Sequence, residues 1–119
     1  MERGKFVEAF NKASDQLDKK KLIKIIRKSV GSINESEERG YHYHLIIVME
    51  ELAELAQQTS KVARGRCDKI GLIEEMADVA LGLVYLQEIC GVSTLDLYKA
   101  INVKVDRLER VLNEKGVYL

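Results

Sequence analysis

Residues 44–90, HLIIVMEELAELAQQTSKVARGRCDKIGLIEEMADVALGLVYLQEIC, constrain the fold of this chain more than any other stretch. They read as two apolar helices, each with acids on a face that also has the pattern of a packing surface. Projected at about 100° per residue, Leu45, Val48, Leu52, Leu55, Ala56, Thr59, Val62 and Ala63 form one broad apolar face of the first helix. Ile47, Glu51, Glu54, Gln58 and Lys61 form a second face, spaced 4, 3, 4, 3 like a seam against a neighbouring helix. The second helix repeats the design. Leu72, Met76, Val79, Leu83, Leu86 and Cys90 line one side, and Gly71, Glu75, Asp78, Gly82, Tyr85 and Ile89 line the acidic seam.

A short polar link, Gly65-Arg66-Cys67-Asp68, separates the two helices, with Asp68 as N-cap, so the pattern predicts an antiparallel hairpin. Counted back from the link, Glu51 and Glu54 lie roughly ten to thirteen residues away and Glu75 and Asp78 roughly seven to ten; at about 1.5 Å per residue the two pairs reach similar depth. Gly82, one turn past Asp78, is expected to allow close approach of the partner helix. Four carboxylates turned into one helical interior need compensation, because desolvating an ionised carboxylate costs on the order of several kcal/mol and like charges add to it. Oxygen-only ligands select a hard cation, Mg²⁺ or Mn²⁺, over Zn²⁺. The Glu-x-x-His of di-iron carboxylate bundles is absent from both helices. A lone E-x-x-E usually marks a solvated helix face; two at matching depth in apolar surroundings point instead to a metal site.

The E-E-L-A-E of residues 50–54, Ser60-Lys61 after it, and the E-E-M-A-D of residues 74–78 resemble the E-x-x-E and E-x-x-D motif pair of the MazG-like all-α nucleoside triphosphate pyrophosphohydrolases. The resemblance covers about residues 20–115, and the superfamily also holds dimeric dUTPases and phosphoribosyl-ATP pyrophosphatases. It implies Mg²⁺-dependent cleavage of a nucleoside triphosphate at the α–β linkage, giving a monophosphate and pyrophosphate. It also implies a four-helix unit that assembles as a dimer or a dimer of dimers. Carried over by residue, the catalytic metal ligands are Glu51, Glu54, Glu75 and Asp78. Lys61, on the same seam, is a candidate for substrate phosphate, with Arg64 and Arg66 as weaker ones. On the final helix, Asn102, Lys104 and Arg107 match the family's N-x-K-x-x-R pattern, whose basic residues hold phosphates. Val105 and Leu108 stand where the family often has an aromatic and a second Arg.

The rest of the chain bounds this reading. At 119 residues it is expected to be a single domain over 1–119, with 1–20 an N-terminal extension outside the resemblance. A chain this short is expected to borrow a second copy of itself to complete a site. With 46% hydrophobic and 32% charged residues, no Pro, no Trp and two Phe, it is expected to be all-α: a four-to-five-helix bundle, oligomeric, around the central acidic pair. Zero net charge argues against nucleic acid or a membrane surface as partner. Cys67 and Cys90 form no C-x-x-C pair, no apolar run is long enough to span a bilayer, and MERGKFVEAF does not read as a signal peptide, so a cytoplasmic location is expected.

Phe6, Val7, Phe10, Ala13 and Leu17 predict a weakly amphipathic helix over 4–18, and Leu22 to Val30 either a second helix or the continuation of a bent one, stopped at Gly31. Lys19, Lys20, Lys21, Lys24, Arg27 and Lys28 read as a solvated face. GSINESEERG, 31–40, reads as a polar loop. His42 and His44 fall on different sides of the helix that follows, which argues against joint metal binding, and Tyr41 and Tyr43 are candidates for stacking on a base or for anchoring the helix start. Ser93-Thr94-Leu95-Asp96 predicts a capping box opening a last helix to about Lys115, with Leu97, Ile101, Val105, Leu108 and Leu112 as its apolar stripe. The alternatives within the superfamily are a dUTPase or a phosphoribosyl-ATP pyrophosphatase; the alternative outside it is a non-catalytic helical oligomerisation or regulatory module.

Overall fold

The computed structural model describes residues 2–34 and 40–118, and these residues form five helices and no strand. They are α1 (Arg3–Lys12), α2 (Lys19–Asn34), α3 (Gly40–Ala63), α4 (Lys69–Cys90) and α5 (Thr94–Glu114). The all-helical expectation holds for them. Residues 35–39 of the expected polar loop lie outside the described residues, as does the side chain of Tyr41.

Helix boundaries follow local chemistry. The Asp68 carboxylate accepts from the Gly71 amide at 3.2 Å and caps α4, while Gly65, at φ 73°, turns the chain between α3 and α4. Gly91 closes α4 in the left-handed conformation at φ 67°, and Ser93 Oγ accepts from the Asp96 amide at 3.1 Å to open α5. Two boundaries differ from expectation. The first helix ends at Lys12 rather than 18, because Ser14 Oγ accepts from the Gln16 amide and Asp18 Oδ1 from the Lys21 amide, each at 3.0 Å. Those local bonds break the helix and cap the next one, so α1 and α2 are separate. Gly31 does not stop α2, which runs on to Asn34; glycine inside a helix costs only about 1 kcal/mol, and the buried Ile26 and Val30 hold this one down.

α3 packs chiefly on α4, α2 covers both, and α1 touches α4. The surface joining α3 to α4 draws on both stripes of α3, Val48 from the apolar face and Gln58 from the other. Val48 meets the Gly82 face, where a Cβ would stand 3.4 Å from both Val48 methyls, and Gln58, Gly71 and Glu75 are also buried. Gly82 therefore admits a valine side chain rather than the partner backbone. Leu52, Val62, Met76 and Leu83, which periodicity places on core faces, are exposed, Met76 at 55%. The physical reason is that each helix buries one stripe per neighbour, and these positions meet no neighbouring helix within this chain.

α5 extends this imbalance, because no other described helix packs on it beyond a marginal contact. Ile101, Val105, Leu108 and Leu112 of its apolar stripe are all exposed, Leu108 at 61%. The chain measures 56 × 36 × 28 Å with a radius of gyration of 17.6 Å, where about 13.5 Å is usual for its length. Its accessible surface is 9740 Å², against roughly 6,500 Å² for a compact monomer of 13.5 kDa. Only Ile26, Val30 and Val48 are buried apolar residues among those described.

Candidate functional site

The acids of α3 and α4 meet because helical spacing puts Glu51 and Glu54, and Glu75 and Asp78, on consecutive turns of the packed faces. Glu51, Glu54, Glu75 and Asp78 each place one carboxylate oxygen within 4.8 Å of those of the other three. Glu75 is buried, Glu51 and Asp78 are half-buried and Glu54 is exposed. They line a polar cleft of about 420 Å³ together with Arg3, Gln57 and Glu74. Behind it an apolar slot of about 120 Å³, walled by Ile47, Val48, Leu81, Gly82 and Tyr85, shares Glu51 and Asp78 with the cleft.

Electrostatics marks the cluster as strained in its ionised form. Burial, then the Asp78 charge and a hydrogen bond with that carboxyl, then Glu54 and Glu75, push Glu51 from 4.5 up to about 7. Glu75 is also raised, first by burial, then by a hydrogen bond with Glu54 and by the charges of Glu54 and Asp78, while Arg3 works the other way. Oε2 of Glu51 and Oε2 of Glu75 are buried with no hydrogen-bond partner. Such orphaned acceptors cost about 1–3 kcal/mol each unless something positive meets them. Four carboxylate oxygens converging from separate residues, two of which also carry an unsatisfied buried oxygen, fit a hard divalent cation in donor chemistry.

The remaining expected site residues are not brought to the cleft within this chain. Lys61 is exposed in the last turn of α3, and Asn102, Lys104 and Arg107 are exposed along α5. None of the four lines the cleft. The two histidines behave separately. His42 is exposed, while His44 is buried, stacked on Tyr85 at 4.7 Å, with Nε2 donating to the Ser29 carbonyl at 3.3 Å. Tyr85 in turn donates to Ser29 Oγ at 2.8 Å, so this trio fastens α2, α3 and α4 together beside the slot. Tyr43 is exposed, its ring edge-on to that of His44.

Sequence reasoning missed Arg3. Its guanidinium pairs with Glu74 through Nη1 and approaches Glu75 Oε1 at 3.8 Å through Nη2, at the edge of the cleft. The only sequence signal for it is a lone cation at the start of an amphipathic helix, which names no partner 71 residues away.

No known protein family, curated protein or solved structure matches this chain. Among the described residues no helix is long and apolar enough to cross a membrane.

Proposed function

We propose that this chain is a divalent-metal-dependent nucleoside triphosphate pyrophosphohydrolase of the MazG-like all-α class, working as a homo-oligomer in the cytoplasm. The observation that carries the reading is the convergence of Glu51, Glu54, Glu75 and Asp78 within 4.8 Å. In this reading α3 and α4 are a central antiparallel acidic pair: Val48 faces Gly82, while Glu51 with Asp78, and Glu54 with Glu75, fall on the successive turns beyond. Cys67 and Cys90, both exposed and free, suit a reducing compartment.

The residues divide the work. Glu51, Glu54, Glu75 and Asp78 would hold Mg²⁺ or Mn²⁺, which when bound supplies charge neutralisation for phosphate oxygens and Lewis acidity toward the α-phosphorus and the attacking water. One of these carboxylates, or the neighbouring Glu50, would take the proton of that water. The adjoining apolar slot excludes water on the side where the nucleoside would lie. The leaving pyrophosphate needs cations, and Lys61, Lys104 and Arg107 are the candidates.

The exposed apolar surface favours assembly with a second copy, which supports the same reading. Each chain exposes roughly 3,000 Å² more than a compact monomer of its mass, surface that a second copy would cover in part. Packing the α5 stripe against a second copy carries Asn102, Lys104 and Arg107 into an interface and so toward a cleft. This exposure of the phosphate-binding half of the site also favours a second reading, a non-catalytic metal-binding oligomerisation module. Canonical and modified triphosphates, including dUTP, assayed with Mg²⁺ and with Mn²⁺ for pyrophosphate release, separate the readings. Release from at least one, lost in Asp78→Asn with helical circular dichroism intact, is expected. Metal-dependent melting with no product from any triphosphate overturns the enzyme reading, and preference for dUTP alone moves it to a dUTPase.

A further inference from the structure

We propose that Arg3, in the first turn of α1, binds a substrate phosphate at the acidic cleft and is aimed there by Glu74. The inference rests on the metal-dependent reading above and adds a group from the extension that lies outside the family resemblance.

Arg3 is the cation that lines the cleft, facing Glu51, Glu54, Glu74, Glu75 and Asp78. Its two guanidinium edges are used differently. Nη1 is committed to Glu74, which is 12% exposed and stands outside the four-carboxylate cluster. Nη2 lies 3.8 Å from Glu75 Oε1, too far for a hydrogen bond, and so keeps its donors unspent toward the cleft. Gly71 makes room for this pose. A Cβ there would stand 3.1 Å from Arg3 Nη2 and would collide with the Asp68 carboxylate that caps α4.

The charge balance asks for such a group. A triphosphate carrying about four negative charges at neutral pH must approach five carboxylates. Divalent cations offset the four that converge; Glu74 is left, and Arg3 already neutralises it. A cation held by Glu75 would weaken the attraction of Nη2 to that side chain. Nη2 is then placed to donate to a phosphate oxygen, a geometry that a guanidinium fork anchored on one side favours. In the absence of ligand the same pair holds α1 onto α4.

The test is calorimetric titration of the full-length protein with Mn²⁺ alone, then with the non-hydrolysable α,β-methylene-dATP in saturating Mn²⁺. Arg3→Gln is expected to weaken the analogue about tenfold, the scale of one lost charge-assisted hydrogen bond, while Mn²⁺ binds at least as tightly as in wild type. Arg3→Lys is expected to recover part of the loss. Glu74→Gln, which frees the guanidinium without removing it, is expected to weaken the analogue by a smaller factor. Equal analogue affinity in wild type and Arg3→Gln overturns the assignment and leaves Arg3 a clamp for α1. Parallel weakening of Mn²⁺ and analogue, with a lower melting temperature, overturns it as well. Wild-type protein that binds neither Mn²⁺ nor the analogue overturns the metal-site reading itself, an outcome distinct from the other two.

Discussion

Replacing Glu51 by Gln should stabilise the metal-free protein at alkaline pH, contrary to the usual result of altering a half-buried side chain. The carboxyl is raised from 4.5 to about 7. Between those values the folded chain holds a proton that the unfolded chain has released, so stability falls as pH rises across that window. Above about pH 7 both states are ionised and the full cost is expressed. A shift of about 2.5 units at 1.36 kcal/mol each sets an upper bound of about 3.4 kcal/mol, and the partial solvent exposure of Glu51 reduces this to roughly 1–3 kcal/mol. At roughly 4 °C per kcal/mol for a chain of this length, Glu51→Gln should melt about 4–12 °C above wild type at pH 8 in EDTA. At pH 4.5 the difference should shrink to a fraction of that. Circular dichroism melts at one fixed protomer concentration read this directly, since an oligomer's midpoint depends on concentration. Saturating Mg²⁺ should reverse the order, because wild type gains binding energy that the variant, lacking one ligand, gains less of. A variant less stable than wild type at pH 8 in EDTA, or a difference that does not change with pH, refutes the argument that the four acids confront one another.

Further outcomes follow from the packing. Leu108→Glu on the exposed α5 stripe should leave α3 and α4 folded but shift sedimentation toward monomer, with loss of any triphosphate turnover; an unchanged assembly would remove α5 from the interface. Gly82→Leu should push Val48 aside, separate the acids and cost about 1–3 kcal/mol together with Mn²⁺ binding, whereas Gly82→Ala, whose Cβ makes an ordinary contact, should keep both, as thermal melts with and without Mn²⁺ will show. Ser93→Ala removes the cap that opens α5 and should lower stability by about 1 kcal/mol in urea unfolding.

What was legible in the sequence was whatever a single helix dictates. The three-residue spacing of Glu51 to Glu54 and of Glu75 to Asp78 puts each pair on one side of its helix, and the caps at Asp68 and Ser93 are local chemistry, so both could be read from residue order. The α1–α2 break was harder because Ser14 and Asp18 compete with the helix through side-chain bonds that a hydrophobic pattern does not register. Which face of α3 and α4 would be inside could not be read, since each helix carries two packing stripes and periodicity does not say which neighbour comes from the same chain. Arg3 was beyond reach for a related reason: its partners are set by where α1 lands on α4, a tertiary fact with no local signature. The stripe of α5 was recognised but not its exposure, because a pattern of leucines and valines records that a surface is buried without recording against what.

If Glu51, Glu54, Glu75 and Asp78 together make a divalent-cation site, Mn²⁺ affinity measured at pH 6 and pH 8 will report it. Because Glu51 must lose its proton to coordinate, wild-type affinity should tighten by about an order of magnitude from pH 6 to pH 8, with proton release on binding, and Glu75→Gln should abolish it. Affinity that is the same at both pH values and survives Glu75→Gln would place the metal elsewhere and contradict the account.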